Sequence, residues 1–295
     1  MKRANGRKTG SRWQALVYVV LVALVVAVLT GCEEAGTGDG AAADTDSTPV
    51  DDGETSGDGG DSGDEGTTTD DSSTLDTSAM VLHLGFDGDL SDETGNSSSM
   101  TLFDVAGDTL TGGYDEDRHS GANGSLEFDG TYAMKVEDID LSTADSITVT
   151  AWVRDDGSET EKYRRIVAYQ SGVNYDEFTA RIRELNSAAW QDGSFEAFLE
   201  NTGTNGTRTT EFVMAGSWVH VAMVYDGDTG ELVLYQDGER KNSRALALDI
   251  ADGNLIIGGG KNNEEFHGRI DDVAVFTRAL TDNEIALAKD QIGTN

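Results

Sequence analysis

Hydrophobic and polar positions along this chain fall into three regimes. Residues 13–29 form a nearly unbroken apolar run, residues 33–78 hold almost no large apolar side chain, and from about Ala79 short alternating runs recur to the C-terminus. A period of two marks strands with one face on a core, and the Gly, Asn and Asp between runs supply the turns. The spacing predicts strands at 81–86, 125–128, 132–136, 146–154, 164–169, 177–185, 195–200, 210–214, 218–226, 231–236, 255–258 and 269–277. In Ile147-Thr148-Val149-Thr150-Ala151-Trp152-Val153 the aliphatic positions share one face and Thr, Thr and Trp the other, so both faces are expected to be partly covered. Such a series predicts an all-β antiparallel sandwich over 79–295. One helix is expected near the end. Thr281 with Glu284 makes a capping box, and Ile285, Leu287, Ala288 and Ile292 give an apolar stripe before Gly293.

The first regime carries Lys2, Arg3, Arg7, Lys8 and Arg12 ahead of the apolar run, which ends in Leu29-Thr30-Gly31-Cys32. This is the order of a secretory signal, and it resembles the bacterial lipoprotein type, in which the cysteine is lipidated. Residues 1–31 are thus expected to be removed and Cys32, the chain's single cysteine, to anchor the protein to the membrane of a cell envelope, facing periplasm or extracellular space. An uncleaved membrane anchor is the alternative, because the run is nearly long enough to span a bilayer. A single cysteine excludes an intramolecular disulfide and a thiolate zinc cluster.

Residues 32–78 follow as a tether with 15 acidic side chains, no basic one and no aromatic. Nothing there can bury apolar area, so a disordered spacer is expected, spanning roughly 40 Å as a neutral coil and more under self-repulsion. The whole chain carries a formal charge of −34, and removing five bases and no acid with the signal leaves −39. A surface this acidic repels nucleic-acid phosphates and anionic headgroups, which excludes DNA, RNA and peripheral lipid as partners. The surplus also resembles that of halophilic proteins, where salt screens the self-repulsion.

Several stretches of the domain resemble one family in order: Leu82-His83-Leu84-Gly85-Phe86-Asp87-Gly88-Asp89-Leu90-Ser91-Asp92, Ser125-Leu126-Glu127-Phe128-Asp129-Gly130, Trp218-Val219-His220-Val221-Ala222-Met223-Val224-Tyr225-Asp226, and Gly268-Arg269-Ile270-Asp271-Asp272-Val273-Ala274-Val275-Phe276. Together they are similar to the laminin-G-like, pentraxin-like jelly roll of the concanavalin-A-like lectin and glucanase superfamily. The resemblance implies a structural Ca²⁺ held by an N-terminal aspartate loop and the aspartate of the final Gly-x-Ile-Asp motif, with Asp87, Asp92 and Asp271 as the expected ligands. Carboxylates are the hard oxygen donors calcium takes, while closely spaced aspartates are also ordinary turn formers.

Enzymes of this fold need carboxylates alternating on one strand, or an Arg-x-Glu-x-Arg strand in the lyases. Here Glu127-Phe128-Asp129-Gly130-Thr131 lacks the third acid, and Arg181-Ile182-Arg183-Glu184 is a scrambled form of the second. His83, His119, His220 and His267 are too dispersed to suggest zinc, and His220 reads as a structural histidine. No catalytic constellation is legible, so the expected role is binding of an extracellular glycan or matrix-type ligand. An envelope polysaccharide hydrolase or lyase and a structural envelope protein are the alternatives. Pyranose recognition uses an aromatic face with amide, carboxylate or arginine donors. Trp152 and Trp218 fall inside strand patterns and are expected in the core. Trp190, in a polar turn, is the first candidate for such a face, followed by Tyr163 and Tyr175.

Overall fold

A computed structural model describes residues 73–294, except 105–107, 110–111, 158–162, 173–174, 185–191, 200–205 and 261–263. The signal segment, Cys32 and nearly all of the tether lie outside the described residues, as does Trp190.

Two antiparallel sheets form a jelly-roll sandwich. One runs β13(Glu239–Ala245), β12(Glu231–Gln236), β11(Trp218–Asp226), β6(Ile147–Asp155), β15(His267–Phe276), β4(Ser125–Asp129), β3(Gly113–Asp115), with β1(Met80–Leu84) also paired to β15. The other runs β10(Gly206–Met214), β9(Asp192–Leu199), β8(Tyr175–Glu184), β7(Tyr163–Gly172), β14(Asn254–Ile257), β5(Tyr132–Val136), β2(Met100–Asp104). Alternation works as anticipated: Ile147, Val149, Ala151 and Val153 of β6 meet Phe178, Phe195 and Leu255 of the opposite sheet in one core.

The outer face of the eight-stranded sheet is covered too. Ala222, Val224, Val233, Tyr235, Ala274 and Phe276 pack there against Leu280 and against Ile285, Ala288 and Ile292 of α1(Asp282–Gln291) and its C-cap. The capping box forms as the sequence requires, with Thr281 and Glu284 bonding reciprocally to each other's backbone. Buried Thr148 Oγ1 donates to Arg278 O at 2.8 Å and accepts from Leu280 N at 3.0 Å, which explains a polar residue under this layer.

Ordered packing begins earlier than residue 79. Leu75 is buried in the helix cluster, its amide donates to Gln291 Oε1 at 3.0 Å, and Gln291 Nε2 donates to Ser73 O at 2.8 Å. The expected tether therefore ends some six residues before its compositional boundary. Trp152 and Trp218 are both only half-buried, and neither joins a core cluster. Position parity puts Trp152 on the outer face.

Candidate functional site

Two clusters of charged side chains stand out, one on each sheet. The first lies on the outer face of the seven-stranded sheet. Core-facing Ile182, Phe195 and Ala197 alternate with outward Arg181, Arg183, Ser194 and Glu196, and the pairing aligns Arg165, Arg181, Glu196 and Arg208 in one row across β7 to β10. Arg181 Nε donates to Glu196 Oε1 at 2.7 Å and its Nη1 to Glu264 Oε2 at 3.2 Å. Arg165 bonds Glu264 at 2.8 Å and pairs with Asp176 at 3.0 Å, and Gln170 Nε2 donates to Asp176 at 2.9 Å. Arg183 stands 3.6 Å from the other Glu196 oxygen. Both guanidinium groups face the ring of Tyr163, Arg181 at 3.9 Å and Arg183 at 5.6 Å from its centroid.

Arg165 and Glu196 are almost wholly buried, whereas the Arg183 side chain is about a third exposed. The row therefore has a locked floor and a more open end. Beside it the hydroxyls of Thr179 and Ser194 are buried with no hydrogen-bond partner among the described residues. The two expected tyrosines do not share this place. Tyr163 pairs with Arg183 while Tyr175 pairs with Gly172, so they sit at opposite ends of the hairpin, about 27 Å apart along β8. Tyr175 is the one strongly exposed large apolar side chain among the described residues.

The second cluster lies where β15 changes partner. It pairs with β4 up to Ile270 and with β1 from Val273, leaving Asp271 and Asp272 at the handover. Arg118, from the loop between β3 and β4, ion-pairs with both carboxylates, and its Nη2 donates to Ile292 O at 2.9 Å. His83 of β1 is held between Glu93, at 3.2 Å from Nδ1, and Asp272, at 3.7 Å from Nε2. Burial opposes a charge on this imidazole, yet Asp272 and Glu93 outweigh it and raise its pKa above the ordinary histidine value. Burial, and then the charge of Asp272, raise Asp271. Asp87 is raised by partial shielding and by Asp272 and Asp117.

Two of the three residues expected to hold calcium already have other partners. Asp92 spends both oxygens on its own loop and on β1, accepting from the amides of His83, Thr94, Asn96 and Ser97 at 2.9–3.0 Å and from the Thr94 hydroxyl. Burial works against its ionisation, but these donors prevail and hold its carboxyl below the ordinary aspartate value. Asp271 already has a cation in Arg118. Among the described residues no group of three or more His, Cys, Asp or Glu could hold a metal ion.

One of the four histidines, His220, differs from a hydrogen-bonded structural one. His220 is buried, its Nδ1 has no partner among the described residues, and it packs against Trp152 with ring centroids 5.5 Å apart. Burial, reinforced by Lys289 and Arg118, lowers its pKa to about 3, so it is neutral in the fold.

Solved structures share this sandwich. Domain 4 of AbnA, an extracellular arabinanase from Geobacillus stearothermophilus, in complex with arabinotriose, superposes with a TM-score of 0.54 at 17% identity, over 71% of this chain and 98% of that one. The binding domain of Paraclostridial Mosquitocidal Protein 1 gives 0.53 at 15%, over 72% and 52%. That of Botulinum Neurotoxin DC in complex with SialylT gives 0.53 at 12%, over 72% and 51%. The chain thus spans about half the length of the two toxin domains. No curated protein matches it in sequence. The profile of one family does, over residues 128–286, more than half of the chain. With β5 through β15 inside that match and the two-sheet topology in place, the chain belongs to the concanavalin A-like lectin/glucanases superfamily, in its laminin-G-type branch.

Proposed function

We propose that this domain recognises an extracellular carbohydrate, that it binds without cleaving, and that the mature protein displays it from an envelope membrane through Cys32. One observation carries the reading. At the open end of the Arg181 row an aromatic ring, two guanidinium groups and a carboxylate lie within reach of one another on rigid strands. Planar bidentate donors beside a carboxylate suit vicinal hydroxyls, and strands hold such a set more rigidly than loops. The positive groups there are matched by Glu196, Glu264 and Asp176, and the surrounding chain is strongly acidic, so neutral glycans suit the site better than polyanions.

Support from the fold is general. The arabinanase domain was solved with a neutral trisaccharide and a toxin domain with SialylT, in the same architecture at low identity. The test is a glycan array with the full chain, followed by calorimetry on hits. Neutral oligosaccharides are expected to bind, with Tyr163→Ala weakening them at least about tenfold, the loss of one well-placed aromatic contact. Release of reducing ends or unsaturated products, or a folded chain that binds no glycan, would overturn the reading.

A further inference from the structure

We infer that Arg118 is the resident cation of the acidic end: its guanidinium fills the oxygen set that a divalent ion would otherwise take, so the domain folds without calcium there. Neighbouring residues of a regular strand point to opposite faces, and two consecutive aspartates should not reach one partner. Here the β15–β6 register shifts between Asp271 and Ala274, and Asp272 adopts a left-handed φ of 47°. This bulge turns both carboxylates toward Arg118. Gly293 completes the fit, since a Cβ at that position would overlap the Asp272 carboxylate.

The partners of Arg118 are two carboxylates and one backbone carbonyl, Ile292 O, all hard oxygen donors of the kind calcium binds. Its side chain is only 6% exposed, and the guanidinium lies 4.9 Å from the centre of the Trp152 ring, which closes another side of the space. Asp271 and Asp272 are 2% and 3% exposed, so a pair this buried requires a compensating cation. The chain supplies it from a loop 153 residues away. Without that guanidinium, three converging oxygens would remain, with Asp87 and Asp117 adding negative potential nearby.

Thermal unfolding of the full chain in EDTA and in millimolar CaCl2, at matched ionic strength, tests this. Wild type and Arg118→Lys, which keeps the charge, are expected to melt at the same temperature in both. Arg118→Ala is expected to lose about 10 °C in EDTA, the scale of an unpaired buried charge, and to regain at least half of it in calcium. Terbium should report the same difference locally, its luminescence sensitised through Trp152 in Arg118→Ala alone. Calcium stabilisation of wild type or of Arg118→Lys overturns the inference, as does an Arg118→Ala protein that calcium fails to restore. Only stability and terbium emission are read, so either result leaves the glycan reading to its own experiment.

Discussion

The two arginine–carboxylate clusters reach similar burial by opposite routes. On the seven-stranded sheet the row Arg165, Arg181, Glu196 is laid out by directly paired strand positions, with one register shift in β7 just after Arg165. At the β15 handover the cluster depends on a break in regularity, a bulge plus a loop brought from far along the chain. A row built by register can be flanked by a more open pair, as it is at Tyr163 and Arg183 where β7 begins and β8 ends. A cluster built on a bulge closes around one cation and is finished. The first arrangement suits a ligand that is exchanged, the second a partner that stays.

If that contrast holds, the floor of the row should be as sensitive to truncation as a buried ion pair. Arg165→Ala removes the ion-pair partner of buried Asp176 and leaves Glu264 with Arg181 alone, and should cost about 3–5 kcal/mol in urea unfolding. A loss below about 1 kcal/mol would mean that the floor is solvated and the distinction from the open end is empty.

A smaller effect probes the other cluster through His220, which lies beneath Trp152 and Arg118. Its folded pKa of about 3 lies below the ordinary 6.5, so below pH 6.5 the unfolded chain takes up a proton that the native state refuses. The stability it allows is complete above pH 6.5 and declines toward pH 3, by about 2 kcal/mol at pH 5. His83 acts with the opposite sign: its raised pKa contributes stability that is full below 6.5 and fades as pH rises through the folded value. Urea unfolding at pH 7 and pH 5 separates them, because His220→Gln should remove the acid-side loss and leave the His83 gain. Equal pH dependence in wild type and variant would show that His220 titrates freely.

Legibility in the sequence follows the same division. Strands with one apolar face, such as β6, β11 and β15, announce themselves by alternation, and the helix by its capping box. The edge strand β13, Glu239–Ala245, was invisible because it pairs on one side only and its ERKNSRA sequence offers no apolar period. β3 is only three residues long, and β2 buries only Leu102, so neither shows an apolar alternation. Asp271 and Asp272 could be singled out as an acidic pair, but nothing local points to Arg118, and strand periodicity alone sends their side chains apart. In the sequence Arg181 and Arg183 form only an incomplete lyase motif. Their meaning came from partners on other strands, which depend on register and hence on the folded sheet. His83 looked isolated until pairing of β1 with β15 carried it to Asp272.

The smallest stability effect is the most informative for binding. Arg183 stands 3.6 Å from Glu196 with its side chain 32% exposed, a geometry in which solvent screens the pair. Arg183→Ala should therefore change unfolding free energy by less than about 1 kcal/mol, while Arg181, bonded at 2.7 Å to the same carboxylate, keeps Glu196 neutralised. Its guanidinium nevertheless lies 5.6 Å from the Tyr163 ring at the open end of the row. Loss of one charged hydrogen-bonding group to a bound sugar corresponds to roughly a tenfold or greater weakening. A variant that melts like wild type but binds glycan at least about tenfold more weakly would separate the recognising end from the structural floor. Loss of stability and binding in step would instead merge them into one unit, and the row would then resemble the closed cluster of Arg118 after all.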